Sequence, residues 1–274
     1  MDTTSKIEAL KAYLRELAEK DVAVAFSGGV DSSLLLYLCC EAARQTGSKI
    51  YAITLQTHLH PHGDVEIAKQ VANETGAEHW VLQINELDEA DISMNPPDRC
   101  YRCKRCMFKK LLERARTLGV SLVVEGTNAD DLKVYRPGIQ ALRELSIISP
   151  FAKLGITKEE VRKLAAQYGI SVASRPSTPC MATRFPYGTE LNYELMQQVD
   201  KAEVWLRSQG FYNVRLRIHG DVTRIEVDEE QMDLLLSKRQ SVIAELKRMG
   251  FVYITLDLEG FRSGSMDIHI LKEG

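Results

Sequence analysis

The stretch Ser27-Gly-Gly-Val-Asp-Ser-Ser33 stands between one continuous apolar run, Val22–Phe26, and another that starts at Leu34. Gly28 and Gly29 let an anion approach the backbone closely, and the free amides of a helix opening there, at the positive end of its dipole, bind phosphate. No Gly-Lys-Ser/Thr follows, so no lysine is aimed at a terminal phosphate in the Walker manner. The plainer alternative is a glycine turn into a Ser-capped helix. A second chemistry lies in sulfur. Cys100-Tyr-Arg-Cys103 has the spacing that turns two thiolates to one metal or cluster, and Cys180 lies far off in a proline-rich stretch. Two near thiolates and one distant one leave one iron of a four-iron cluster open, whereas a zinc site takes four ligands and would draw on Cys106. Cys100, Cys103 and Cys106 are separated by about 300° and 600° of helix rotation, so all three face inward only if the segment is a turn and not a regular helix. Cys39 and Cys40 sit in an apolar run and read as small buried hydrophobes. A third chemistry is cationic: Arg215 and Arg217 alternate with Val214, Leu216 and Ile218, which puts two guanidinia on one strand face, suited to bidentate binding of phosphate or carboxylate. Standing alone, that face reads equally as a solvated one.

These residues need elements to position them. Apolar residues Ile7, Leu10, Leu14 and Leu17 have helical spacing, Val22–Phe26 reads as a buried strand, and Leu34–Ala43 as a helix. Strands at 49–55, 79–84 and 121–126 alternate with helices at 65–75 and 107–118, which predicts an α/β fold with a doubly wound parallel sheet. Gly47, Gly76, Gly119 and Gly169 fall where each helix hands over to the next segment. Glu125–Asp131, including Gly126, follows a strand at the end where such sheets bind ligands, unless it is an ordinary Asn/Asp turn. After Ser171 the texture changes to SRPSTPCMATRFPYG, a loop that marks a domain boundary. Residues 1–175 are expected to form the first domain and 176–274 a smaller α+β domain. Within the latter, Leu206 to Gly220 and Leu246 to Gly260 match at a constant offset of 40 residues, a doubled helix-strand unit with an extra strand at 223–227.

The whole chain has 274 residues, 45% of them hydrophobic and 27% charged, enough for a sizeable core and for two domains. Its net charge of −3 gives no global basic field, which argues against a nucleic-acid partner. The charged first twenty residues have no signal-peptide core and no run reaches a membrane span, so a cytoplasmic protein is expected. His58, His60 and His62 alternate in a polar loop; nickel or zinc could bind there, but no acid or cysteine beside them completes a site.

SGGVDSS resembles the pyrophosphate loop of the adenylating ATP pyrophosphatases, the PP-loop enzymes that split ATP between its α and β phosphates. The resemblance implies that Ser27, Gly28, Gly29, Asp31 and Ser32 hold the leaving pyrophosphate and its Mg2+, with Gly126 near the nucleotide. Taken with NPPDRCYRCK, EGTNADD, YRPGIQAL, RPSTPCMATRFPYGTEL, RLRIHGDVTRIEV and LDLEGFRSG, nearly the whole chain resembles the LarE-type sulfur transferases. That family adenylates the carboxylates of a pyridinium-3,5-dicarboxylate mononucleotide and replaces oxygen with sulfur, making the precursor of the nickel-pincer cofactor of lactate racemase. Some members sacrifice one cysteine, matching Cys180, which is left as dehydroalanine. Others use three cysteines, matching Cys100, Cys103 and Cys180, on a [4Fe-4S] cluster that holds a labile sulfide, and the C-x-x-C pair groups this chain with them. Cys106 lies outside that pattern. The resemblance also implies that Arg184, Arg215, Arg217 and Arg262, with Glu203 nearby, line the substrate or phosphate pocket. Asp31 and Cys180 are then the catalytic residues, ATP, Mg2+ and the cluster the cofactors. A sulfide donor and the small mononucleotide are the partners, and the protein is expected to be a homo-oligomer.

Three rivals are weighed against this. A tRNA thiolase pairs the same loop with cysteines, but the acidic chain shows no basic RNA module. An ammonia-using ligase of the NAD or GMP synthetase kind gives Cys100, Cys103 and Cys180 no role. A metal-binding carrier would use the histidines and cysteines and leave the nucleotide loop idle.

Overall fold

Four strands, β1 (Val22–Ala25), β2 (Ile50–Gln56), β3 (Glu78–Gln83) and β4 (Leu122–Val124), form an all-parallel sheet in the order β3-β2-β1-β4. The chain runs outward from β1 to β3 and then returns to the other side of β1, so β1 and β4 flank the topological switch point. Among the described residues eight α-helices connect or flank these strands: α1 (Thr3–Leu17), α2 (Val30–Thr46), α3 (Asp64–Thr75), α4 (Glu86–Glu89), α5 (Arg99–Thr117), α6 (Gly138–Glu144), α7 (Pro150–Lys153) and α8 (Lys158–Gln167). The structure, a computed structural model, describes residues 3–60, 63–134, 136–175, 179–262 and 265–266.

The apolar strands follow from burial on both faces. Val22, Val24, Ile50 and Ala52 point into one core with Leu34, Leu35 and Val161, while Ala23, Tyr51, Ile53 and Leu55 point into the other with Phe108, Leu111 and Leu142. Helix α8 starts with a full capping box, in which the Thr157 hydroxyl accepts from the Glu160 amide and the Glu160 carboxylate accepts from the Thr157 amide. The helix expected over 107–118 begins already at Arg99. Its first two turns carry Arg, Cys and Lys and no apolar stripe, so periodicity alone misses them.

Contacts divide the chain into two units, one of Met1–His58, His62–Asp91 and Asp98–Thr178, the other of Leu59–Pro61, Ile92–Pro97 and Pro179–Gly274. Two pieces of the first half thus belong to the second unit. The Leu59 carbonyl accepts from the Met181 amide at 2.8 Å, and the buried Asn95 side chain donates to the carbonyls of Phe185 and Pro186 at 3.1 and 2.8 Å.

In the second unit α9 (Tyr193–Ser208) leads to the hairpin β5 (Val214–His219) and β6 (Val222–Val227). Helices α10 (Met232–Ser237) and α11 (Arg239–Arg248) then lead to β7 (Tyr253–Leu256), which pairs parallel with β6. The matching segments share their backbone: Gly210 and Gly250 have φ of 103° and 96°, and the amides of Phe211 and Phe251 return to the carbonyls of Leu206 and Leu246. They differ in cover, since β5 is buried over Val214–Ile218 while Tyr253 on β7 is exposed. Among the described residues no helix is long and apolar enough to cross a membrane.

Candidate active site

The glycine loop leaves the end of β1 and enters α2 at the switch point, beside the segment that follows β4. Gly28 has φ +71° and a Cβ there would lie 3.0 Å from the Ala68 backbone nitrogen. A Cβ on Gly126 would lie 2.9 Å from the Ser32 nitrogen, so only glycine lets the segment after β4 approach the first turn of α2. The first amides of α2 have no intrahelical acceptor, and its N-cap Gly29 supplies no side chain to take them. Ser32 Oγ donates to the Gly29 carbonyl at 3.1 Å and lies 3.2 Å from Ser27 Oγ, fixing the loop from within.

Asp31 is held from two sides. Asn128 Nδ2 donates to Asp31 Oδ1 at 3.1 Å, and Lys158 Nζ pairs with Asp31 Oδ2. Asn128 is itself set by the amides of Asp130 and Asp131, which donate to its Oδ1 at 3.0 and 3.3 Å. The Lys158 amide donates to Asp130 Oδ2 at 2.9 Å. Behind this, buried Glu125 accepts from the Thr127 amide and hydroxyl and from the Ser149 hydroxyl. A cation therefore does reach the loop, from α8 and not from the loop's own sequence. Sequence reasoning missed Lys158; its signal was a lysine directly after the Thr157 cap, which carries no motif without the fold.

In the second unit three of the expected arginines, Arg184, Arg215 and Arg217, are buried, and Arg262 is partly exposed. Arg184, 2% exposed, donates from Nε and Nη2 to the two carboxylate oxygens of Glu203 at 2.9 and 2.8 Å, and Glu203 also accepts from the Leu216 amide at 3.0 Å. Burial pushes the Glu203 carboxyl up, but the charge and hydrogen bonds of Arg184 prevail and hold it below its ordinary range. Arg217 donates to Glu226 at 3.0 and 2.8 Å and to the Thr183 carbonyl at 2.8 Å. Arg262 faces Glu259 at 2.7 Å and Asp257 at 3.6 Å.

Arg215 differs. It is 8% exposed, donates to the Val214 carbonyl at 2.7 Å, lies 5.2 Å from the Phe261 ring centre, and has no carboxylate in salt-bridge range among the described residues. Burial, and then the charge of Arg184, push its pKa down to about 10. The strand face expected to be either pocket or solvent is neither open nor uniform. Helix α9 and the turn Met181–Arg184 pack on β5, so a guanidinium there is either paired or left with uncompensated charge.

Cys100, Cys103 and Cys106 lie on α5 as one regular helix, so the inward-facing turn is not formed and Cys106 stands about 120° around the axis from Cys100. Cys100 is exposed, Cys103 and Cys106 half-buried, and Cys103 Sγ donates to Met107 Sδ at 3.4 Å. Burial raises the Cys106 pKa. Cys180 belongs to the second unit, half-buried, at the start of the turn whose last residue is Arg184; its carbonyl accepts from Thr183 Oγ1 at 2.7 Å and Arg184 Nη1 at 3.3 Å. Cys39 and Cys40 are buried in the first core, and burial pushes the Cys40 thiol up to about 11. Among the described residues no three His, Cys, Asp or Glu stand together as a metal group. Of the three histidines, His58 and His60 flank the connector residue Leu59, and His62 lies outside the described residues.

A parallel sheet with a glycine loop and a pinned aspartate at its switch point defines the phosphate-loop α/β class. The NAD synthase family pattern matches residues 3–133. The chain is 34% identical over 268 residues, 98% of its length and 96% of the relative's, to the pyridinium-3,5-bisthiocarboxylic acid mononucleotide synthase of Lactiplantibacillus plantarum. It is 37% identical over 270 residues, 98% and 99% of the two chains, to an uncharacterized protein of Synechocystis sp.. A tRNA-specific 2-thiouridylase of Rickettsia bellii matches at 29% over 199 residues, 58% of this chain and 53% of that one. The chain belongs to the LarE-type family of the pyridinium-3,5-bisthiocarboxylic acid mononucleotide synthase.

Proposed function

We propose that the chain is an ATP-dependent sulfur transferase that adenylates the carboxylates of pyridinium-3,5-dicarboxylate mononucleotide and converts them to thiocarboxylates. The product is the precursor of a nickel-pincer nucleotide, and the enzyme works in the cytoplasm as a homo-oligomer, without nucleic acid or membrane. The observation that carries the reading is Asp31, held by Asn128 and Lys158 at the mouth of the glycine loop. A substrate carboxylate oxygen attacks the α-phosphorus, the bond from that phosphorus to the bridging oxygen breaks, and pyrophosphate leaves towards the loop amides. Asp31 is the carboxylate for Mg2+, and Lys158 is the cation beside the departing charge. A sulfide-class nucleophile then adds to the acyl carbon, AMP leaves with the electron pair of the acyl–oxygen bond, and a thiocarboxylate remains, with no net oxidation. In the second unit Arg215 offers the substrate's phosphate or carboxylate a buried charge with no carboxylate in salt-bridge range among the described residues, Glu203 acting on it only from farther off.

Cys100, Cys103 and Cys180 are the residues that would hold a [4Fe-4S] cluster, which when bound carries the sulfide. Their chemistry suits it: an exposed and a half-buried thiol three residues apart on one helix, and a third half-buried thiol beside Arg184. The same half-buried position of Cys180 favours a second reading, in which this cysteine alone gives up its sulfur. Purification without air, with iron and acid-labile sulfide analysis and a pyrophosphate assay, tests both. The expected result is iron lost in Cys100→Ala, Cys103→Ala and Cys180→Ala but kept in Cys106→Ala, with substrate-dependent pyrophosphate release surviving in all four. Iron-free protein that transfers sulfur once and loses about 34 Da, the mass of hydrogen sulfide, overturns the cluster in favour of sacrificed Cys180. ADP and phosphate as products overturn adenylation itself.

A further inference from the structure

We infer that Arg175 is a positioning residue of the phosphate loop, holding the peptide between Gly28 and Gly29 with its amide turned into the anion site. The inference rests on the phosphate-binding reading of Ser27–Ser33. Arg175 Nη1 donates to the Gly28 carbonyl at 3.4 Å and Nη2 to Asp64 Oδ1 at 2.6 Å, with side chains only 19% and 16% exposed. In a trans peptide the carbonyl and the next N–H point in opposite directions. A guanidinium on the Gly28 carbonyl therefore turns the Gly29 amide to the inner side of the loop, where Ser27 Oγ accepts it at 3.4 Å. Gly28, at φ +71°, has no side chain to resist rotation of that peptide, so its orientation is set by Ser27 Oγ on the inner side and Arg175 on the outer.

The arrangement around Arg175 is built to make that choice. Its own backbone is fixed, because Arg162 donates from Nη1 to the Ala173 carbonyl at 3.1 Å and from Nη2 to the Arg175 carbonyl at 3.2 Å. Arg162 stands one turn after Lys158 on α8, so a single helix face reaches Asp31 directly and the Gly28 peptide through Arg175. Asp64 lies in the first turn of α3, where a carboxylate is favoured by the helix dipole, and the same helix presents Ala68 against Gly28. Arg175 touches a carbonyl of the loop and acts through it.

Calorimetric titration of the full chain with magnesium pyrophosphate, and separately with AMP, tests this. Arg175→Ala should weaken pyrophosphate binding about tenfold, the scale of one lost charge-assisted hydrogen bond, and leave AMP affinity unchanged. Arg175→Lys should restore part of the loss. Asp64→Asn, which keeps the guanidinium but frees it, should show a smaller loss of the same kind, and both serve if Arg175→Ala does not fold. Unchanged pyrophosphate affinity in folded variants overturns the inference, as does an equal loss of both ligands with a lower melting temperature, which marks a merely structural residue. A wild-type chain that binds AMP but no pyrophosphate overturns the loop reading and the inference with it, whereas failure of the inference alone appears only in the variants.

Discussion

The two cationic regions of this protein are made in opposite ways. In the first unit the loop Ser27–Ser33 presents backbone amides, and its few charges, Asp31 with Lys158 and Asp64 with Arg175, are partly open to water. In the second unit the charges are side chains sealed inside: Arg184 on Glu203 and Arg217 on Glu226, with exposures of 6% or less. Amides that bind an anion cost little to keep ready, because peptide dipoles carry no net charge to desolvate. Guanidinia kept in a low-dielectric interior must be neutralised, and the unit does so with buried acids for every such arginine except Arg215. The first region therefore keeps uncharged amides at a partly open loop, and the second seals paired guanidinia inside, with Arg215 outside salt-bridge range of any described carboxylate.

The largest effect that separates them is on stability. Arg184→Ala should cost about 3–5 kcal/mol, because it strands a buried carboxylate, and chemical denaturation measures it. The pH dependence sharpens the point. Glu203 has its pKa held below the ordinary value in the folded chain, so the pair's contribution is complete above the unfolded pKa and is lost as pH falls through the folded one. In the variant the stranded carboxyl is pushed up instead, so the deficit against wild type should shrink as pH falls. A constant deficit across that range would mean that Arg207, 3.5 Å from Glu203, already compensates it.

Lys158→Ala should do the reverse, slowing substrate-dependent pyrophosphate release about a hundredfold, as loss of one preorganised donor at a departing charge does. Stability should fall by less than ~1 kcal/mol, since the Lys158–Asp31 pair is partly exposed. A variant that melts early while turning over normally would place Lys158 with the structural pairs and erase the contrast.

The contrast also explains what the sequence could tell. Ser27–Ser33 was legible because its chemistry is contiguous: glycines, serines and Asp31 lie within one short stretch, and the flanking apolar runs announce strand and helix. Asn128 was visible within its Asn/Asp stretch, but not its partner. Lys158 and Arg175 reach the loop from 127 and 147 residues away, respectively, through tertiary packing, and nothing in their neighbourhoods marks them. In the second unit the alternation of Arg215 and Arg217 gave strand and shared face correctly. It could not say that Arg217 pairs with Glu226 across the hairpin while Arg215 has no acid in salt-bridge range among the described residues, because that depends on the register Arg215↔Glu226 and Arg217↔Arg224 and on side-chain reach. The spacing of the cysteines left open whether their segment is a turn that faces all three inward or a regular helix that does not. Helix α5 obeys instead the packing of Phe108 and Leu111 into the second core.

Arg215 is where the two principles meet, and its change in stability is small and opposite in sign. Its folded pKa is pushed to about 10, below the ordinary arginine value, by burial first and by Arg184 second. A basic group so depressed binds fewer protons folded than unfolded between those values. The wild-type chain should accordingly gain stability as pH rises through that window, and at neutral pH the charge is a net cost. Arg215→Met, of similar length and apolar, should then stabilise the chain by ~1 kcal/mol and raise its melting temperature by a few degrees. The same variant should lose about 2 kcal/mol of affinity for the mononucleotide, near thirtyfold in dissociation constant, because a charge-assisted contact is gone. Arg217→Met offers the control, since it leaves Glu226 with the partly exposed Arg224 and the Ser265 hydroxyl and should lose stability. Calorimetry and melting on the pair decide the matter. If Arg215→Met is less stable and binds substrate as well as wild type, Arg215 is one more structural cation, and the second unit has no unpaired charge to offer a ligand.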